Sequence, residues 1–420
     1  MTNNFLLGAA TAAYQVEGNN DKSDFWIMEH LKNSTFKEKS GEAVDHYNRY
    51  EEDIQLMREA GMNAYRFSIE WARIEPEKGI FDREATEHYR NVLECCHENK
   101  ITPIVTMHHF SSPQWIIREG GWENEKIVDY FKNYCRYVVT ELGDLMEFIC
   151  TINEANMRNE LITVMKSFAK SLGINIQVGV KLQLPEKMMA GQREAGKAFG
   201  GIESVNTFLS PCTPKGDLLI MQAHEAARDA MRTVDNRFKI GLTLSLHDIQ
   251  VVGNATEKAV EMWDDEFKHY LPFIEKDDFF GLQNYTRTLV GEEGELSVPE
   301  EKKKTQMGYE FYPQALENVI RKVSSELNLP IIVTENGVAT DNDKDRVTFI
   351  EEALSGVKRC IADGIPVLGY MHWSLLDNFE WQLGYSKTFG LIEVDRKTQT
   401  RKPKDSFYRL AEIWKRESER

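Results

Sequence analysis

The sequence predicts an α/β protein built as a (β/α)8 barrel, the TIM-barrel architecture. Three observations predict it. Eight short runs dense in Ile, Val and Phe recur along the chain. Segments of helical period separate them, and polar and aromatic residues gather where each run ends. Alternating strand and helix implies a parallel sheet, and eight units are the number that closes a barrel. An open doubly wound sheet is the competing architecture for the same alternation.

The predicted strands are Phe5–Ala10, Ala64–Ile69, Ile101–Met107, Glu147–Ile152, Lys239–Ser245, Phe279–Asn284, Pro330–Thr334 and Ile365–His372. Several show little apolar–polar alternation, as strands buried on both faces should. Between them, Tyr47, Tyr50, Ile54 and Met57 recur at spacings of three and four, as do Tyr89, Val92, Leu93 and Cys96. So do Leu316, Val319, Ile320, Val323 and Leu327, and then Val347, Ile350, Leu354, Val357 and Ile361. Such spacing lines one face of a helix. Two segments are irregular: Ala155–Asn236 after the fourth strand, with a helix-like stretch at Asn156–Leu172, and the charged Gly291–Lys304 after the sixth. Both are read as elaborated loops on the face where barrels build their sites. No low-complexity tract divides the chain, so residues 1–420 are expected to form one domain.

Composition narrows the function. The 41% hydrophobic and 28% charged shares belong to a globular chain, not a disordered one. A net charge of −16 repels polyanions, which argues against nucleic acid as a partner. There is no run of 18 apolar residues, so no membrane partner is expected. Met1 to Tyr14 is apolar without a basic lead-in, so a secretory signal is not expected. Cys95, Cys96, Cys135, Cys150, Cys212 and Cys360 form no C-x-x-C pair, which suits reduced thiols and a cytoplasmic location. Oligomeric state is not legible.

The strand ends carry the chemistry. They hold Gln15 and Glu17; Arg66, Glu70 and Trp71; His108, His109 and Trp115; Asn153 and Glu154; Gln283, Asn284 and Tyr285; Glu335 and Asn336; and His372, Trp373, Glu380 and Trp381. A barrel brings these ends to one mouth. Carboxylates, amides and Trp rings together suit a sugar, whose hydroxyls need polar partners and whose C–H faces stack on aromatics. Paired carboxylates are also what glycosidic cleavage requires.

Five ordered motifs then become specific. Phe5-Leu-Leu-Gly-Ala-Ala-Thr-Ala-Ala-Tyr-Gln-Val-Glu-Gly18 resembles the opening signature of glycoside hydrolase family 1, the β-glucosidase family. Tyr65-Arg-Phe-Ser-Ile-Glu-Trp71 resembles its second-strand motif, Thr151-Ile-Asn-Glu154 its acid/base motif, and Val333-Thr-Glu-Asn-Gly337 its nucleophile motif. Trp373-Ser-Leu-Leu-Asp-Asn-Phe-Glu-Trp381 matches its eighth-strand signature, with Gly384-Tyr-Ser-Lys and Phe389-Gly390 following in order.

The resemblance implies a retaining, exo-acting β-glycosidase with no cofactor and no metal, acting on a small-molecule β-glycoside. It implies Glu154 as acid/base and Glu335 as nucleophile, with Arg66 and Tyr285 holding Glu335 ionised. Asn153 would bind the 2-hydroxyl. Gln15, His109, Trp122, Glu380 and Trp381 would grip the other hydroxyls, over a floor made by Trp373. An Arg cation beside Glu335 should lower its pKa, while a less compensated Glu154 stays protonated. Two departures stand out. The family usually has Pro after the acid/base Glu; here the sequence is Ala155-Asn-Met-Arg158. Gln283 takes the place of a family Asn, and is kept as a site candidate.

The plainer readings were weighed beside these. Most of the 67 Asp and Glu are solvated surface charges, so position and motif, not residue type, single out Glu154 and Glu335. Arg66 could be only a buried ion-pair partner. Adjacent His108 and His109 face opposite sides of a strand and cannot easily share a metal; the resemblance picks His109 for the site. Trp26, Trp263 and Trp414 read as packing residues. Gly191-Gln-Arg-Glu-Ala-Gly-Lys-Ala198 nearly fits a phosphate loop but lacks its hydroxyl and a convincing strand before it. The enzymatic alternatives are a 6-phospho-β-glycosidase, which Glu380 disfavours by charge, and a transglycosidase. The alternative outside enzymes is an inactive sugar-binding barrel, which would lack one of the two glutamates.

Overall fold

The computed structural model describes residues 5–162 and 186–418. Its strands are β1 (Leu6–Ala10), β2 (Ala64–Ser68), β3 (Thr102–His108), β4 (Phe148–Ile152), β5 (Lys239–Gly241), β6 (Thr243–Ser245), β7 (Asp248–Val251), β8 (Phe280–Gln283), β9 (Arg287–Gly291), β10 (Gly294–Glu295), β11 (Ile331–Asn336), β12 (Val367–Trp373), β13 (Ile392–Val394) and β14 (Arg401–Pro403). The main sheet runs β5-β4-β3-β2-β1-β12-β11-β8-β6, with every neighbouring pair parallel. Its nine strands make eight staves, because β5 and β6 are one stave interrupted at Leu242. The β5 half pairs with β4 and the β6 half with β8, which closes the circle. The fold is the (β/α)8 barrel that the sequence predicts, and the open sheet is excluded.

Each of the eight predicted runs overlaps one stave, and β3, β11 and β12 extend one or two residues past the predicted ends. The four predicted helical segments lie in the helices His46–Glu59, Arg83–Glu98, Ala315–Glu326 and Asp343–Ala362. Two apolar clusters explain why. Tyr65, Phe67, Val105, Ile149 and Val333 point outward and join the helices in one large core. Leu6, Ala10, Ala64, Ile104, Cys150, Ile332 and Met371 point inward and fill the barrel. Burying each large side chain contributes about 1.5–3 kcal/mol, so both faces of every stave favour apolar residues.

The loop after β4 holds the helices Glu186–Ala198 and Pro214–Val234, and the Asn156–Leu172 stretch lies partly outside the described residues. Thr213 caps the second helix by accepting from the Gly216 N–H at 3.0 Å, and Pro214 sits where its missing N–H costs nothing. The phosphate-loop lookalike at Gly191–Ala198 lies inside a helix, not before one, so its amides are spent on helical bonds. The loop after β8 carries β9 and β10, which join β7 in a small sheet. No described helix is long and apolar enough to cross a membrane. All six cysteines are free and buried.

Candidate active site

Arg66 is the hub of the mouth. It lies on β2, points inward and is fully buried. Its Nε donates to Thr106 Oγ1 at 3.1 Å, one Nη donates to Glu335 Oε1 at 2.5 Å, and the other donates to Asn153 Oδ1 at 2.6 Å. One guanidinium therefore fixes residues from β11 and from the end of β4 together. A fork of this kind gives geometry as well as charge.

Glu335 is the fifth residue of β11. The pairing of β11 slips on both sides between Val333 and Glu335 or Asn336, and a slip of this kind re-aims the side chain that follows. Gly337, just beyond, leaves room for the Trp373 carbonyl, which a Cβ would meet at 1.9 Å. The second oxygen of Glu335 accepts from the Tyr285 hydroxyl at 2.5 Å. Burial raises the Glu335 pKa, against the pull of Arg66 and Tyr285. The expected lowering is therefore outweighed: Arg66 acts in the predicted direction, but desolvation is the larger effect.

Glu154 is buried as well, but without such donors. It follows β4 with φ of 42°, a left-handed conformation that costs on the order of 1–3 kcal/mol. The sixth strand holds it there: Glu154 N–H donates to Thr243 Oγ1 at 3.0 Å, and Ala155 N–H to the Thr243 carbonyl at 3.0 Å. No described residue donates to its carboxyl group. Burial drives its pKa well above the usual carboxylate range, and the charges of Glu335 and Glu160 add to that.

Asn153 accepts from Arg66 and from Gln283 Nε2, the latter at 2.7 Å, and its own amide lies 3.1 Å from His109 Nε2. Burial, then the Arg66 charge, pushes the His109 pKa well down, so its ring is neutral. With Nε2 accepting, Nδ1 carries the proton. Gln15 donates to the Phe379 carbonyl at 2.7 Å and to Glu380 at 3.3 Å. Trp373 and Trp381 lie nearly parallel to His109, at 5.6 and 6.2 Å between ring centres. Three polar atoms of this set are buried without a partner: Gln15 Oε1, His109 Nδ1 and Gln283 Oε1. Leaving such atoms bare costs about 1–3 kcal/mol each, a cost that a hydroxyl-rich ligand removes.

Known proteins share this arrangement across the chain. Residues 1–419 match the model of glycosyl hydrolase family 1. The chain belongs to glycosyl hydrolase family 1. It is a retaining glycoside hydrolase. It is 31% identical to beta-glucosidase A of Thermotoga maritima, over 98% of this chain and 97% of that one. It is 32% identical to the 1,4-beta-D-glucan glucohydrolase of Thermotoga neapolitana, with the same coverage of each. The crystal structure of beta-glycosidase BGL167 matches with a TM-score of 0.91 and 43% identity, over 99% of this chain and 97% of that one.

In this family 1 glycosidase one predicted site residue, Trp122, is packed behind the others. Trp122 is fully buried, its indole N–H donates to Ser112 Oγ at 3.0 Å, and its ring packs on His108, Phe131 and Phe208. Phe110, whose ring lies 5.4 Å from Trp381, is the neighbouring aromatic that sequence reading passed over. His108 likewise packs outside the site, bonded to Ser112, as do Trp71 and Trp115.

Two further residues near the carboxyl groups escaped the sequence. Thr243 lies within a predicted strand, and nothing local marks its hydroxyl as the support for Glu154. Tyr309 lies in the long loop after β8, far from any strand end, yet it shares the electrostatic environment of Glu380 and Glu154. Lys387 extends from the β12 loop to the Gln306 carbonyl at 2.5 Å, and Gln306 N–H donates to Ala339 O at 3.0 Å. These bonds pin the Tyr309 loop across the loops after β11 and β12. Among the described residues there is no group of three or more side chains able to hold a metal ion.

Proposed function

We propose that this enzyme hydrolyses a terminal, unphosphorylated β-glucose-like sugar by double displacement, with Glu335 as nucleophile and Glu154 as acid/base. The observation that carries the reading is the opposed environment of the two carboxyls. Glu335 accepts from Arg66 and Tyr285 on both oxygens, while Glu154 is buried with no described donor. Burial raises both pKa values, Glu154 the more strongly, and only Glu335 is opposed by two donors, so of the pair Glu335 holds the charge for attack and Glu154 the proton to give.

In the first step Glu154 protonates the glycosidic oxygen as a Glu335 oxygen bonds to C1 and the C1–O bond breaks. In the second, Glu154 takes a proton from water, whose oxygen bonds to C1 while the ester to Glu335 breaks. Two inversions restore the β configuration. On this reading Asn153 binds the 2-hydroxyl, with its carbonyl held by Gln283 and Arg66 and its amide shared with His109. On the same reading Gln15, His109, Trp122, Glu380 and Trp381 bind the remaining hydroxyls, with Trp373 as the floor.

Glu380 supports a sugar without phosphate. Its carboxyl is bonded by Gln15, and Lys387, the nearby cation, is engaged by Gln306. Burial, then the Glu335 charge, raises its pKa to about 8, so the site already resists a single negative charge here and would resist a phosphate dianion more strongly. Glu380→Ser is expected to lower kcat/KM for a plain β-glucoside by about 10²-fold and to lessen discrimination against its 6-phosphate. Release of nitrophenol from aryl β-glycosides and their 6-phosphates measures both. Faster turnover of the 6-phosphate by the unmodified enzyme reverses the assignment.

A further inference from the structure

The turn that carries Glu154 is fastened to β6 by a side chain as well as by backbone. β4 pairs with β5 so that Cys150 lies opposite Gly241, and the same register carried forward sets Ser245 opposite Glu154. Backbone pairing stops short of that point. Glu154 turns left-handed at φ of 42°, and the chain leaves the sheet. β8 pairs the other edge of β6. The buried Ser245 peptide groups on the β4 side therefore need partners that β4 no longer supplies.

Asn156 supplies them. Its Oδ1 accepts from the Ser245 N–H at 3.1 Å, and its Nδ2 donates to the Ser245 carbonyl at 2.6 Å. One buried carboxamide thus stands where the peptide group of a continuing β4 would stand. Its surroundings settle which way the amide points. Nδ2 also donates to Glu160 Oε1 at 2.9 Å and to the Glu266 carbonyl at 3.4 Å, so acceptors surround the NH2 group while an N–H faces the oxygen. Asn156 also heads the helix that follows, its carbonyl accepting from the Asn159 and Glu160 N–H groups at 3.0 and 3.1 Å. An asparagine at such a place commonly caps its own helix; here the side chain is spent on β6.

The two residues before it hold the same strand. Thr243 Oγ1 accepts from the Glu154 N–H and donates to the Ile152 carbonyl at 3.2 Å, and the Thr243 carbonyl accepts from the Ala155 N–H. The Ala155 bond needs an N–H that a proline would lack. The Met157 N–H donates to the Glu154 carbonyl at 2.8 Å and closes the turn. Since no described residue donates to the Glu154 carboxyl, its aim depends on this backbone.

We propose that Asn156 is a positioning residue for the reaction: its carboxamide, paired with Ser245, fixes the turn that aims Glu154 at the glycosidic oxygen, and Thr243 acts with it. The proposal rests on the reading of Glu154 as acid/base. A misplacement of about 1 Å in a reacting group costs on the order of 10²-fold in rate, so a loosened turn is felt where proton transfer limits the reaction.

The test compares kcat/KM for a phenyl β-glucoside, whose departure needs a proton, and a dinitrophenyl β-glucoside, whose departure needs little. Asn156→Ala removes both bonds to Ser245. It is expected to lower kcat/KM about 10–10²-fold for the phenyl substrate and less than about 3-fold for the dinitrophenyl substrate. Added to Glu154→Ala, it is expected to cost nothing further, because it acts through the acid it positions. Thr243→Val removes the acceptor of the Glu154 N–H and is expected to show the same selectivity, and Thr243→Ser to restore most of the rate. That pair carries the test if thermal unfolding shows that Asn156→Ala does not fold. Equal losses on both substrates, no loss on either, or losses that add to that of Glu154→Ala overturn the proposal. Glu154→Ala alone is the separate check. An equal loss on both substrates there contradicts the acid/base reading itself, whereas a loss confined to the phenyl substrate upholds that reading whatever Asn156→Ala shows.

Discussion

Glu335→Ala is expected to lower kcat/KM for every β-glycoside by roughly 10⁴–10⁶-fold, the scale on which hydrolases lose rate when a nucleophile is removed. The loss does not depend on the leaving group. With no carboxylate at Glu335, no glycosyl ester forms, so an excellent leaving group meets the same barrier as a poor one. The variant also leaves Arg66 and Tyr285 without the carboxylate they bond. Arg66 keeps Thr106, the Thr334 carbonyl and Asn153, so the site is expected to hold its shape. Steady-state rates with phenyl and dinitrophenyl β-glucosides check this. A loss that shrinks by several powers of ten for the dinitrophenyl substrate shows that Glu335 is not the nucleophile.

Glu154→Ala is expected to behave in the opposite manner. Removing a general acid costs about 10²–10⁴-fold where the leaving group needs a proton. A dinitrophenolate needs little, so its departure is expected to proceed at nearly the unmodified rate. Deglycosylation then lacks its base. The variant is expected to give a burst of phenolate equal to the enzyme concentration, followed by a slow steady state. Stopped-flow absorbance measures it. Equal slowing of the dinitrophenyl and alkyl substrates, without a burst, argues against proton transfer by Glu154. The structure supports the contrast: Glu154 is held through its backbone by Thr243, so truncating its side chain removes no described hydrogen bond to the carboxyl.

Much of this fold is legible in the sequence because parallel staves are buried on both faces. Runs such as Ile331–Val333 and Ile149–Ile152 declare themselves by composition alone. The break at Leu242 does not, since Lys239–Ser245 reads as one run and only its two different neighbours reveal two halves. Site residues at strand ends were legible for the same reason: Arg66, Glu335 and Gln283 lie on or beside staves whose direction fixes where they point. Trp122 is the candidate that the strands place least. It lies in a short turn, Gly121–Glu123, well past the end of β3, where strand direction no longer constrains the side chain. The nearer aromatic, Phe110, follows His109 directly. Tyr309 was hidden by the converse effect, because its loop is pinned at Gln306, which accepts from Lys387 and donates to the Ala339 carbonyl, both distant in sequence. The Glu335 pKa shows a further limit. Sequence names the cation beside a carboxylate but not the depth of its burial, and here burial is the larger influence.

The assignment of the two glutamates is tested most directly by the stereochemistry of azide products. Azide is an anion that attacks without a base. In Glu154→Ala the covalent sugar on Glu335 is intact, and azide displaces it with a second inversion, so a β-glycosyl azide is expected. In Glu335→Ala azide occupies the space of the missing carboxylate and attacks the β-glycoside itself, so the single inversion gives an α-glycosyl azide. Proton NMR of the anomeric coupling in each product separates the two. A β-azide from Glu154→Ala and an α-azide from Glu335→Ala are the results this account predicts; an α-azide from Glu154→Ala with a β-azide from Glu335→Ala would contradict it and exchange the two roles.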